Sequence, residues 1–324
     1  MQVGFGNLKK PIFLAPMEDV TDYPFRNLCK SYGVDVLVSE FVSSDALVRN
    51  VKRNFEKMHF DDRERPVGIQ IYGHDTTTMV EAAKIVETFH PDFIDINAGC
   101  PVKKVVRRGA GAGLLQDVPK LLDLVKQVVD AVSLPVSVKM RLGWDAQSIV
   151  VEEVVEGLQQ LGVQFVTIHG RTRSQIYSGE ANCEIITNLS NRNDITIPIV
   201  GNGDIDSPEK AKQCFEKGSL GGIMVGRGAI GNPWLFAQIK HYLATGELLS
   251  PPSIDEKVEV AIRHLEATAS YYSERVAPKL MRRHYVRYFK GLSHFKEFKL
   301  SLLRSDSVEE NKQILKTIAK TYCQ

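Results

Sequence analysis

The sequence predicts a closed (β/α)8 barrel followed by an all-helical C-terminal domain. Three observations predict it. Short apolar runs alternate with helical patterns over residues 12–225. Polar residues recur just past the ends of those runs. The alternation then stops, and every later pattern is helical. A barrel of this kind runs to roughly 250 residues and builds its active site from the C-terminal ends of its strands. An open doubly wound sheet is the alternative; the recurrence of polar residues at strand ends favours the barrel.

The candidate strands are residues 12–15, 34–39, 67–72, 93–97, 136–140, 165–169, 197–200 and 222–225. They are near-continuous apolar runs, as parallel strands covered on both faces require. Helical patterns separate them at 76–90, 119–132, 148–161 and 208–217. Pro119 and Pro208 sit where a first helical turn tolerates proline. Gly162 and Gly218 follow last turns, as C-cap residues do. Ala244-Thr245-Gly246-Glu247 and Pro251-Pro252 read as a linker, which divides the chain into a barrel domain, 1–245, and a helical domain, 246–324.

With 324 residues, 43% hydrophobic and 25% charged, the chain has an ordinary globular composition and length for a full core. It shows no signal-peptide pattern and no apolar run long enough to span a bilayer. Its five cysteines (Cys29, Cys100, Cys183, Cys214 and Cys323) are scattered and odd in number, so they suggest neither a disulfide framework nor a metal site. A cytoplasmic setting fits. The net charge of +2 hides a basic stretch in which Lys279, Arg282, Arg283, Arg287, Lys290, Lys296, Lys299 and Arg304 face one acid, Glu297. At helical spacing Lys279, Arg283, Arg287, Lys290 and His294 share a face, with Met281, Tyr285, Tyr288 and Leu292 on another. Such a row suits a polyanion.

The strand ends carry the chemistry. In order they offer Ala15-Pro16-Met17, Gln70, Asn97 with Cys100, Lys139 with Arg141, His169-Gly170-Arg171, Gly201-Asn202-Gly203-Asp204 and Gly226-Arg227-Gly228. Singly each has a dull explanation, such as a satisfied core amide or a tight turn. Jointly they converge on one barrel mouth. The last two loops of this fold commonly bind phosphate, because glycine lets backbone N–H groups approach an anion. Gly226, Gly228 and Gly231 also match GxGxxG, but they close a βα series instead of opening one, which argues against a dinucleotide fingerprint. A phosphate cradle with Gln70, Lys139 and His169 fits flavin mononucleotide, with Lys139 a cation that stabilises the reduced ring. Cys100, between Gly99 and Pro101, is largely protonated at a thiol pKa of about 8.5 and can serve as a general acid.

These segments, with Lys139-Met140-Arg141-Leu142-Gly143-Trp144 and Asn97-Ala98-Gly99-Cys100-Pro101, resemble the tRNA-dihydrouridine synthase family, most closely its bacterial B-type branch. The resemblance covers nearly the whole chain. It implies an FMN-bound barrel, a helical RNA-recognition domain, and reduction of a uridine C5=C6 bond in tRNA with NADPH as reductant. It implies hydride transfer from the flavin to C6 and protonation of C5 by Cys100. It matches Ala15, Pro16, Met17, Gln70, Lys139, His169, Asn202, Gly203, Asp204, Gly226 and Arg227 to the flavin site. It turns Asn97, Arg141 and Arg171 toward the uridine or its phosphate. The basic row then contacts tRNA, and the enzyme is expected to be a monomer. One departure is visible: where the family often shows a tryptophan soon after an alanine, this chain has Ala181-Asn182-Cys183. Two other readings are an FMN oxidoreductase acting on a free pyrimidine, as dihydroorotate dehydrogenases do, and a non-enzymatic RNA-binding barrel.

Overall fold

The apolar runs form parallel strands: β1 (Ile12–Leu14), β2 (Leu37–Val38), β3 (Val42–Ser43), β4 (Val67–Tyr72), β5 (Phe93–Ala98), β6 (Val136–Arg141), β7 (Phe165–His169), β8 (Ile199–Asn202) and β9 (Gly222–Val225). The computed structural model describes residues 8–322, so Cys323 lies outside it. Pairing follows the order β1-β9-β8-β7-β6-β5-β4-β2, with β3 also on β4. A Phe13–Val36 bridge closes the ring, and Leu14 N donates to Val36 O at 3.0 Å. The result is the predicted barrel. Two details differ. The run at 34–39 is broken, and the chain pairs with β4 twice, through β2 and β3. The run at 197–200 becomes strand only at Ile199, because Pro198 has no N–H to donate.

Helices Thr76–Glu87, Val118–Ala131, Val151–Gln160, Cys183–Ser190 and Pro208–Lys217 cover the barrel. The side chains of Asp75, Asp117, Asn182 and Ser207 cap four of them, each cap worth about 1 kcal/mol. Gly162 has the left-handed φ of 74° expected past a helix end. Gly218 does not: its φ is −138°, and a Cβ there would lie 2.8 Å from Ser190 Oγ, so close helix packing explains this glycine.

Period-two alternation fills the barrel in layers. Phe13, Phe93 and Phe165 plug the base, with ring centroids 5.5 and 5.3 Å apart along the chain of contacts. Gly68 leaves room for this plug, since a Cβ there would stand 2.3 Å from the Phe93 ring. One step up lie Gln70, Asp95 and Ser137; β4 and β5 pair Gln70 with Asp95, and β5 and β6 pair Asp95 with Ser137. One further step up, the register sets Asn97 beside Lys139 and His169 beside Asn202. The intervening residues, such as Ile94, Ile96, Val138 and Met140, face the helical shell and are fully buried.

After the Leu235–Thr245 helix, Gly246 at φ 77° ends the turn and an irregular segment follows. Helices Ile254–Tyr271, Ala277–Tyr288, Lys296–Arg304 and Val308–Tyr322 complete the chain, the first opened by a Ser253–Glu256 capping box. They pack onto the barrel. Phe25 lies against His264 and His284 at 5.5 and 4.7 Å between ring centroids, and Trp234 against Tyr288 at 5.9 Å.

Candidate active site

Asn97 shapes the loop after β5. Its Oδ1 accepts from Gly99 N at 3.0 Å and Cys100 N at 2.9 Å, while its Nδ2 donates to Gln70 Oε1 at 2.8 Å. Gln70 in turn donates to Asp95 Oδ2 at 2.6 Å, and Ser137 Oγ donates to Asp95 Oδ1 at 2.5 Å. Gln70 is therefore bonded at both ends and fully buried, one layer beneath the mouth. It and Asn97 hold the thiol loop from below. Arg141 holds it from the side: Nε donates to Gly99 O at 2.8 Å, and Nη1 donates to Thr172 O and Ile176 O. Burial pushes the Cys100 thiol up, against the pull of the Val102 N–H and the Arg141 charge. The group thus stays a thiol at neutral pH and can donate a proton.

Beside this loop the mouth opens into a cavity of about 660 Å³. Ala15, Pro16, Met17, Lys139, His169, Asn202, Gly203, Asp204, Gly226 and Arg227 all line it. Gln70 and Cys100 do not. Lys139 Nζ donates to Asn202 Oδ1 at 3.1 Å, and Asn202 Nδ2 donates to Met224 O at 2.8 Å, so the lysine is aimed across the barrel. Burial and the neighbouring Arg141 bring the Lys139 ammonium down to about 8. Burial, reinforced by Lys139, Arg141, Arg171 and Arg227, brings His169 down to about 2, which leaves a neutral imidazole.

The loop after β8 brings Gly203 and Asp204 to the cavity. Gly203 has φ 131°, and a Cβ there would stand 2.5 Å from Ala181 Cβ, so only glycine fits. Asp204 follows at φ 49° and anchors the loop. It accepts from Arg171 at 2.9 and 2.6 Å, from Arg227 at 2.8 Å and from Ala181 N at 2.9 Å. Burial raises the Asp204 carboxyl, but these bonds outweigh it and hold the group below the usual range. Arg171, expected toward the substrate, is a correction. It is 2% exposed, and its five N–H groups meet Asp204 twice, Ser178 O, Gly179 O and His169. A guanidinium engaged on all sides braces the loop and has no donor left for a ligand.

The basic row is a second correction. The helix ends at Tyr288, and Gly291 at φ 92° turns the chain, so Lys290 and His294 are not on the helix face that periodicity gave them. Lys279 is exposed. Arg283 donates to the Asp19 carbonyl after β1. Arg287 and Lys290 line the cavity, together with Lys257. Sequence reasoning also missed Tyr177, whose ring lies 4.6 Å from the Arg227 guanidinium and 5.7 Å from that of Arg141. Nothing in its spacing marks it. Asp95 was legible as an inward position between Ile94 and Ile96.

The cavity suits a flat, anionic-tailed ligand. Lys139, a neutral imidazole, glycine backbone and arginine all belong to its lining, and a Cβ on Gly203 would stand 3.2 Å from the His169 ring. Comparison with known proteins shows the family. The family model described as Dihydrouridine synthase (Dus) matches residues 13–322. A "Probable tRNA-dihydrouridine synthase" of Rickettsia bellii (strain RML369-C) is 39% identical over 92% of this chain and 91% of its own. "tRNA-dihydrouridine synthase B" of Pseudomonas putida (strain KT2440) is also 39% identical, over 92% and 88%. Among solved structures, histamine dehydrogenase from Rhizobium sp. 4-9 shares the fold at TM-score 0.52 and 14% identity, over 79% of this chain and 48% of that one.

Proposed function

This chain belongs to the dihydrouridine synthase family, and from that premise we propose how its barrel mouth reduces uridine in tRNA to dihydrouridine. FMN fits the mouth: the backbone cradle at Gly203 and Gly226 and the Arg227 guanidinium suit its phosphate, and Lys139 suits the pyrimidine end of its ring. Held by these residues, FMN would supply hydride chemistry toward C6 of the uracil ring, with NADPH as the source of its reducing equivalents. Ala15, Pro16 and Met17 form the wall after β1, Asn202 fixes the direction of Lys139, and His169 adds a neutral ring to the mouth.

Cys100 gives the proton to C5. Its loop is held by Asn97 below and Arg141 at the side, so the sulfur is positioned before substrate arrives. The raised thiol pKa keeps the proton on it until the ring takes it. The carrying observation is a thiol on a pinned loop at the same barrel mouth as the glycine-rich loops after β8 and β9. The target base must leave its stack to reach the mouth, at a few kcal/mol. The exposed cations Lys279, Lys296, Lys299 and Arg304 contact the RNA backbone without reading sequence. We assign residues 1–245 to catalysis and 246–324 to tRNA recognition, in a cytoplasmic enzyme that works as a monomer. No described helix is long and apolar enough to cross a membrane.

The test is dihydrouridine formation in unmodified tRNA from the native host, with FMN and NADPH. Wild type should form it, and Cys100→Ala should not. A wild-type protein that binds FMN and tRNA yet leaves every uridine intact would overturn the reading.

A further inference from the structure

The cavity extends past the phosphate cradle to a wall that the barrel does not supply. Lys257, Arg287 and Lys290 come from the C-terminal helices and the turn after them, and all three line the same cavity as Gly226 and Arg227. The contact between the two parts is tight: a Cβ on Gly231, at the end of the cradle loop, would lie 2.7 Å from Arg287 Cβ and 2.6 Å from Tyr288 N. Among the described residues, none of these three cations has a hydrogen bond or ion pair from its side chain. Lys257 is half-buried, and burial alone brings its ammonium down. A half-buried cation without a carboxylate partner, as Lys257 is, is disfavoured unless an anion joins it, and the exposed Arg287 and Lys290 on the same cavity are equally unpaired.

Charge within the barrel loops shows which anion is short of partners. A phosphate monoester carries about −1.5 to −2 at neutral pH. At the cradle Arg171 and Arg227 share one carboxylate, Asp204, which leaves one net positive charge. Asp206, also on the cavity, is neutralised by Lys210 at 2.7 Å. The barrel alone therefore falls short of a phosphate dianion, and the three helical cations stand on the side where the shortfall lies.

We propose that Lys257, Arg287 and Lys290 form a phosphate clamp by which the helical region closes the cofactor cavity and holds the terminal phosphate of FMN. This rests on the flavin reading above. Cofactor retention and the docking of the helices onto the barrel then depend on each other, and Arg287 and Lys290 leave the RNA surface on which sequence spacing had set them.

The experiment compares FMN with riboflavin, which lacks the phosphate, on the full-length chain stripped of flavin. Dissociation constants come from flavin fluorescence at low and high salt. Lys257→Gln/Arg287→Gln/Lys290→Gln should weaken FMN about tenfold and flatten its salt dependence, with riboflavin changed less than about twofold. Lys290→Gln alone, at an exposed position past the helix end, should lower the FMN-to-riboflavin preference by roughly two- to threefold without unfolding risk. Equal losses for both flavins, or unchanged FMN affinity with weakened tRNA binding, would overturn the clamp. The second result would give the wall to an RNA phosphate instead. A wild-type chain that binds neither flavin would remove the flavin reading and the clamp with it.

Discussion

The two halves of the barrel mouth are built on opposite principles. After β5, β6 and β7 the loops carry long polar side chains, and those side chains are tied to the protein's own backbone: Asn97 to Gly99 and Cys100, Arg141 to Gly99, Thr172 and Ile176, Arg171 to Ser178 and Gly179. After β8 and β9 the loops carry glycine, and Gly203, Gly226 and Gly228 line the cavity with Asp204 and Arg227. The first half fixes one reactive atom. The second presents a surface for an anion. Charged residue types alone therefore do not mark ligand contacts; what matters is whether their hydrogen bonds are already made.

The largest effect that separates the halves is on turnover. Cys100→Ala should reduce dihydrouridine formation by about 10²- to 10⁴-fold, while NADPH still reduces the bound flavin at the wild-type rate. Stopped-flow measurement of the two half-reactions checks this; a matching loss in flavin reduction would blur the division. Arg171→Met leaves Asp204 with one guanidinium fewer and the Ser178 and Gly179 carbonyls without that donor, and should cost about 1–3 kcal/mol in urea unfolding. A cost below 0.5 kcal/mol would show that Arg171 does not brace the loop. Gly203→Ala meets both a strained φ and the Ala181 Cβ, and should lower stability by about 1–3 kcal/mol and deplete bound flavin. Retained flavin at full stability would count against the backbone cradle.

A smaller contrast concerns thiol reactivity. Burial raises Cys100, whereas the neighbouring Cys214 thiol lowers Cys183, at the start of its helix. Near pH 7 iodoacetamide should label Cys183 at least about fivefold faster, by peptide mass spectrometry. The smallest effect is on pH stability. Burial raises Asp22 to about 7, far above its unfolded value, so its contribution is fully present below pH 4 and is lost as pH rises through 7. Asp22→Asn should therefore raise Tm by roughly 2–6 °C at pH 8 and change it little at pH 4. Equal shifts at both values would assign the effect to the helix cap.

The alternation of apolar runs with helical patterns was enough to read the barrel, because strand burial on both faces leaves a mark in local sequence. The polar residues past each run were equally plain: Lys139, His169, Asn202, Gly203, Gly226 and Arg227 do line one cavity. Harder to see was the use made of Arg171 and Gln70. Both are partnered from the neighbouring strand or the loop after it, by Asp95 and Asp204, 25 and 33 residues away in the chain.

By itself the sequence determined the order of strands, the polar ring at their ends and the position of the thiol, since each depends on neighbours one to four residues away. Tertiary structure alone decided which arginines are braces, that Arg283 reaches Asp19 instead of an open face, and that Lys257, Arg287 and Lys290 gather on one cavity wall. The physical reason is that a charged side chain takes its role from whichever donors, acceptors and low-dielectric walls the fold brings to it, and those come from distant segments.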